Sequence, residues 1–133
     1  MILRTAIVSR NAALDAITVL LNSGFLRVYS GAMPATPETA ASGTLLAELV
    51  FNATAFGAAA AGVATANAIT QDASANNTGV AGYVRLLKSD GTTAIFDGDA
   101  TATGGGGFAE LNSTSISAGA AVQCTAMTIT LPM

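Results

Sequence analysis

The 133-residue chain has no histidine, no tryptophan and a single cysteine, Cys124. Histidine is the usual general base and the commonest metal ligand near neutral pH. Without it, the simplest routes to hydrolytic and metal chemistry are closed. A lone cysteine excludes a disulfide within the chain. Cys124 sits in an apolar, strand-like run and reads as a buried, inert thiol. Aromatics are limited to five Phe and two Tyr, too scattered to build a platform that stacks sugars or bases. Tyr29 and Tyr83 read as side chains packed at strand ends with hydroxyls reaching solvent.

Charge is equally scarce. Charged residues make up 10% of the chain, against about 25% in an average globular domain. The basic residues Arg4, Arg10, Arg27, Arg85 and Lys88 are scattered within a net charge of −3. They form no stripe that releases counterions from a phosphate backbone. The alanine-rich, mildly apolar span Ala53 to Ile69 is interrupted by Gly57, Gly62, Thr54, Thr65 and Asn67, and falls short of a membrane span. No apolar run of signal-peptide length separates Arg10 from Asp15. The expectation is a non-enzymatic chain with no cofactor, no metal, no nucleic-acid partner, no membrane span and no secretion signal.

What is present is small. Over half of the residues are Ala, Gly, Thr or Ser. Burial stabilises by roughly 0.8 kcal/mol per CH₂, so an alanine-filled core contributes little per residue. Association with copies of itself, as a trimer or dimer, or with a neighbour is the expected remedy. Low charge suits a surface that is covered in an assembly.

Periodicity predicts one helix and then strands, in a single domain spanning 1–133. Leu14, Ile17 and Leu21 recur at helical spacing, widened by Ala13 and Leu20. Asn11 fits the N-cap, Asp15 favours the helix dipole, and Gly24 fits a left-handed position after the last turn. These bound the helix at about 11–22. Phe25 to Ser30 reads as a strand. Ser30 to Ser42 holds Pro34 and Pro37, which disfavour regular structure, and reads as an exposed extended arm or loop. Thirteen residues is long for an idle connector, which points to partner contact.

Thr44 to Phe51, Val63 to Ile69, Val80 to Lys88, Thr92 to Phe96 and Ala121 to Leu131 follow as strands. Ser89-Asp90-Gly91 supplies hairpin chemistry. Glu110 to Ser117 is a short strand or turn. A parity switch near Ala126 marks a bulge or a strand that crosses between sheets. About seven or eight strands at this spacing predict a mainly β protein, an antiparallel β-sandwich or jelly roll over about 25–131, with one N-terminal α-helix.

Catalytic readings fail for want of parts. Lys88 borders the hairpin turn as a solvated charge. Asp97 and Asp99 are the close carboxylate pair and the only foothold for a carboxylate-based hydrolase. Flanking Gly98 in a loop, they read as turn-forming. As a calcium loop the stretch fails, because Thr101 is a poor third ligand and Ala102 stands where glycine is required. Gly104 to Gly107 lack the strand-to-helix context and the lysine of a phosphate loop.

Several phrases recur together. They are Leu26 to Pro37 (LRVYSGAMPATP), Thr44 to Phe51 (TLLAELVF), Phe56-Gly57 with Gly62 to Thr70 (GVATANAIT), and Val84 to Gly91 (VRLLKSDG). Leu111-Asn112-Ser113-Thr114, continued by Ser-Ala-Gly-Ala-Ala-Val, completes the set. As an ordered set covering nearly the whole chain, they resemble a family of small proteins encoded in structural-gene regions of tailed bacteriophages and prophages. The resemblance implies a virion component built on a β-sandwich, foremost a capsid decoration (cement) protein on the capsid exterior, made in the host cytoplasm. The major capsid protein would be its partner. A tail or fibre adaptor, or a small adhesin domain, is the alternative. The resemblance brings no catalytic motif. The expected contact elements are Ser30–Ser42 and the segment before Asn11, with Arg4, Arg10, Met33 and Pro34 as contact residues.

Overall fold

The computed structural model describes residues 1–132. Helix α1 (Ile7–Thr18) runs into a 3₁₀ turn (Val19–Leu21). Ten strands follow among the described residues: β1 (Phe25–Tyr29), β2 (Leu45–Val50), β3 (Val63–Thr65), β4 (Gly79–Val80), β5 (Tyr83–Leu87), β6 (Ala94–Gly98), β7 (Ala100–Ala102), β8 (Ala109–Leu111), β9 (Ser115–Ile116) and β10 (Cys124–Thr130). The protein is mainly β, in three open sheets ordered β2-β1-β5-β6, β3-β10-β8-β7 and β4-β9.

The helix is present but begins at Ile7, ahead of the expected Asn11. Ala6 occupies the N-cap without a side-chain hydrogen bond. Asn11 and Asp15 are helix-interior residues that do other work. The Asn11 Oδ1 accepts the Gly62 N–H at 2.9 Å, and the Asp15 carboxylate accepts the Ala59 N–H at 2.8 Å. Both satisfy backbone donors of the tight turn around Ala60–Val63, where an unpaired N–H is costly once covered. The left-handed residue after the helix is Ser23 (φ 56°), not Gly24. Gly24 is needed for a different reason: a Cβ there would stand 2.2 Å from the Leu87 carbonyl oxygen.

In the first sheet, β1 pairs antiparallel with both β2 and β5, and β5 pairs with β6. Strand β5 is buried at all five positions. It is an interior strand covered on both faces, which is why its sequence lacks polar alternation. The β1–β2 register slips between Val28 and Tyr29, so Leu46 and Ala47 are both buried and strict two-faced alternation fails there. The outer edge of β2 is not open. Thr70 exchanges backbone hydrogen bonds with Val50, Asp72 accepts the Glu48 N–H, and Asn76 donates to the Leu46 carbonyl.

The chain crosses to the second sheet between β6 and β7. Strand β7 pairs parallel with β8, a departure from the all-antiparallel expectation. The glycine run lets the chain double back, with Gly104 and Gly106 at φ 86° and 79°. Strand β10 divides its length, pairing with β8 over Cys124–Met127 and with β3 over Thr128–Thr130. Its register shift between Cys124 and Ala126 is the bulge that the parity switch predicts. One hydrophobic cluster joins Leu14 and Leu21 below the helix, Leu26, Leu49 and Leu86 of the first sheet, and Leu111, Met127 and Ile129 of the second.

Candidate contact surface

The loop Ser30–Ser42 contains no strand, as its prolines dictate. It is not a free arm. Its neck is closed by Ser30, whose N–H donates to the Thr44 carbonyl and whose hydroxyl accepts the Thr44 N–H. Gly43 sits at φ 75°, where a Cβ would collide with the Ser30 carbonyl. Further out, the Tyr83 hydroxyl donates to the Ser42 carbonyl at 2.9 Å and accepts the Ser42 N–H at 3.0 Å. Tyr83 is fully buried and stacks on Tyr29, its partner across the strands, with centroids 5.3 Å apart. The expectation that both hydroxyls reach solvent is corrected for Tyr83: the loop folds over its ring and takes up its hydroxyl.

A buried ion pair makes the second clamp. Arg85 points from β5 to Asp97 of β6, its register partner. Nε donates to Oδ1 at 2.7 Å and Nη2 to Oδ2 at 2.8 Å, the two-pronged geometry that suits guanidinium and carboxylate. Nη1 donates to the Thr39 carbonyl at 2.7 Å. The side chains are only 6% and 4% exposed. The hydrogen bond from Asp97 raises the Arg85 pKa above its ordinary value, against the opposing effect of burial. Sequence reading missed this cluster. Its signal was an arginine inside the apolar run Tyr83–Leu87, with an acid across a hairpin turn.

Of the predicted contact residues, Met33 is exposed on the clamped loop and Pro34 is half-buried beside it. Arg4 is exposed. Arg10 is half-buried, its Nη1 donating to the Leu131 carbonyl at 3.4 Å and packed against Gly62, where a Cβ would stand 2.8 Å away. The four residues do not form one cluster of mutual hydrogen bonds or ion pairs among the described residues.

A second surface was only partly legible. Among the described residues, seven of the ten exposed large apolar side chains lie in the first twenty: Met1, Ile2, Leu3, Ile7, Val8, Val19 and Leu20. Leu14 and Thr18 face the core, while Val8, Ala12, Ala16 and Val19 are exposed. The outer side of α1 thus carries an apolar stripe, beside the exposed Ser9 and Asp15.

The carboxylates offer no paired site. Asp97 is committed to Arg85, and Asp99 accepts the Phe108 N–H at 2.9 Å. The glycine run is likewise engaged, with Gly104 donating to Glu110 and Gly107 to the Thr101 hydroxyl. No group of three or more acidic or cysteine side chains able to hold a metal ion occurs among the described residues. A cleft between α1 and residues 54–58, lined by Asp15, Thr18, Asn22 and Phe56, encloses about 210 Å³, below the usual range of small-molecule sites. No helix among the described residues is long and apolar enough to cross a membrane. Burial pushes the Cys124 thiol up to about 11.

No family model, curated protein or solved structure matches this chain. The surface must therefore be argued from its own residues.

Proposed function

We propose that the chain is a non-enzymatic bacteriophage virion protein, a capsid decoration protein that binds the outside of the major capsid shell and stabilises it. The observation that carries this reading is the clamped loop. A thirteen-residue connector with two prolines is fastened at its neck, at Tyr83 and at a buried ion pair. It presents Met33 and Pro34 on a rigid base. A loop ordered before binding spares the entropy otherwise lost on docking. The sparse charge of the chain fits a surface that spends its working life covered.

In this reading the two four-stranded sheets are the halves of a β-sandwich, the rigid body, and the jelly-roll alternative belongs to the same proposal. Met33, Pro34 and Arg4 are its contact residues. Arg10, committed within the chain, supports α1 instead. About 800 Å² per partner suffices for stable attachment.

Quantitative gel densitometry of purified virions carrying this gene tests the reading. The expected result is a band whose copy number is commensurate with that of the major capsid protein. A far smaller number places the protein in the tail, as adaptor or adhesin. Absence from the particle overturns the proposal.

A further inference from the structure

The outer face of α1 needs an explanation that the clamped loop does not supply. A contiguous apolar patch left on the solvent side of a helix usually marks a contact site. Here the inner face packs on the core through Leu14 and Thr18. The outer face carries Val8, Ala12, Ala16 and Val19 at spacings of four, four and three, one stripe along the axis. Met1, Ile2 and Leu3 extend the apolar surface ahead of the helix, at 113%, 86% and 74% exposure. Leu20 flanks it at 41%, while Ile7, 52% exposed, opens the row that continues into Leu14 and Thr18.

We propose that this face is a self-association site, occupied by the same face of a second copy in two-fold arrangement. Two observations carry it. The first is area. Burying one aliphatic side chain removes roughly 60–120 Å² from water at about 25 cal/mol per Å². Met1, Ile2, Leu3, Val8, Val19 and Leu20 together offer about 360–720 Å², which approaches the ~800 Å² per partner of a stable interface. The second is shape. Ala12 and Ala16 in mid-stripe allow two helix axes to approach at about 8 Å, the close end of helix packing.

A two-fold interface of this kind sets the same patch of each copy against itself. The proposal rests on this surface and not on the virion reading, and it leaves the clamped loop free for a shell.

Sedimentation velocity on the full chain across a hundredfold concentration range tests it, with Val8→Glu and Val8→Ile compared with the parent. The parent and Val8→Ile should dimerise. Val8→Glu should weaken the dimer by about a hundredfold or more, since each interface then buries two carboxylates. Circular dichroism of all three should coincide, because Val8 is 75% exposed and outside the core. Thr128→Glu, on the exposed face of β10, serves as a charge control and should leave the dimer intact. A parent that stays monomeric throughout, or an oligomer indifferent to Val8→Glu, overturns the proposal. If the monomer still binds capsids, the virion reading survives that failure.

Discussion

Replacing Asp97 with Asn strands a buried cation. Of the two N–H···O contacts to the carboxylate, at 2.7 and 2.8 Å, one becomes a neutral hydrogen bond and the other sets a donor against the amide NH₂, while Arg85 stays charged and only 6% exposed. Removing one partner of a buried pair costs about 3–5 kcal/mol. A domain of this size has a total stability on the order of 5–15 kcal/mol. At about 3–5 °C per kcal/mol for a chain of intermediate length, Tm should fall by roughly 10–20 °C.

The double variant Arg85→Met/Asp97→Leu separates charge from packing. It removes the stranded cation and refills the volume, so most of the loss should return. The Thr39 carbonyl nevertheless loses its donor. Hydrogen exchange around residues 36–42 should therefore quicken in the double variant even where Tm recovers. Thermal unfolding by circular dichroism, with exchange followed by mass spectrometry, reads both. A loss below about 1 kcal/mol in Asp97→Asn refutes the buried-pair reasoning. A double variant no better than the single shows that shape, not charge, holds the site.

Two further predictions concern titration. The Cys124 thiol, pushed up to about 11 by burial, should react with iodoacetamide at pH 8 about a hundredfold more slowly in the folded protein than in denaturant. Its raised folded value also means that stability present below about pH 9 is lost as pH rises towards 11, and equal labelling rates would refute both statements. The Asp90 carboxylate is held well below the usual carboxylate range, first by the Thr93 hydroxyl and then by the Thr93 and Thr92 N–H groups. Because its folded value is depressed, its contribution is complete above about pH 4 and declines as pH falls further. Asp90→Asn should flatten the acid side of the Tm profile, and an unchanged profile contradicts the assignment.

The elements written in apolar pattern were legible: the helix, β1, β2, β5, the Asp90-Gly91 turn and the bulge in β10. The helix start was misplaced because Asn11 has the chemistry of a cap. That chemistry is spent on the Gly62 N–H, fifty-one residues away. Val63 to Ile69 reads as one strand, yet its ladder with β10 runs only over Val63–Thr65, and Ala66 and Asn67 turn to pair with Phe56 and Ala55. The parallel β7–β8 pair is invisible locally, because glycine permits the reversal without specifying it. The loop was found by its prolines, but its clamps join residues more than forty positions apart. No periodicity encodes them.

The covered edge of β2 has a consequence for life at high concentration. Sheet proteins commonly deter end-on joining by lining their outermost strands with lysine or other charge, and this chain has almost none to spare. It instead occupies the outward groups of Val50, the Glu48 N–H and the Leu46 carbonyl with Thr70, Asp72 and Asn76. Crowded copies therefore meet a broken template along that border. Growth into fibres there is opposed by occupancy rather than repulsion, a safeguard that high salt does not screen.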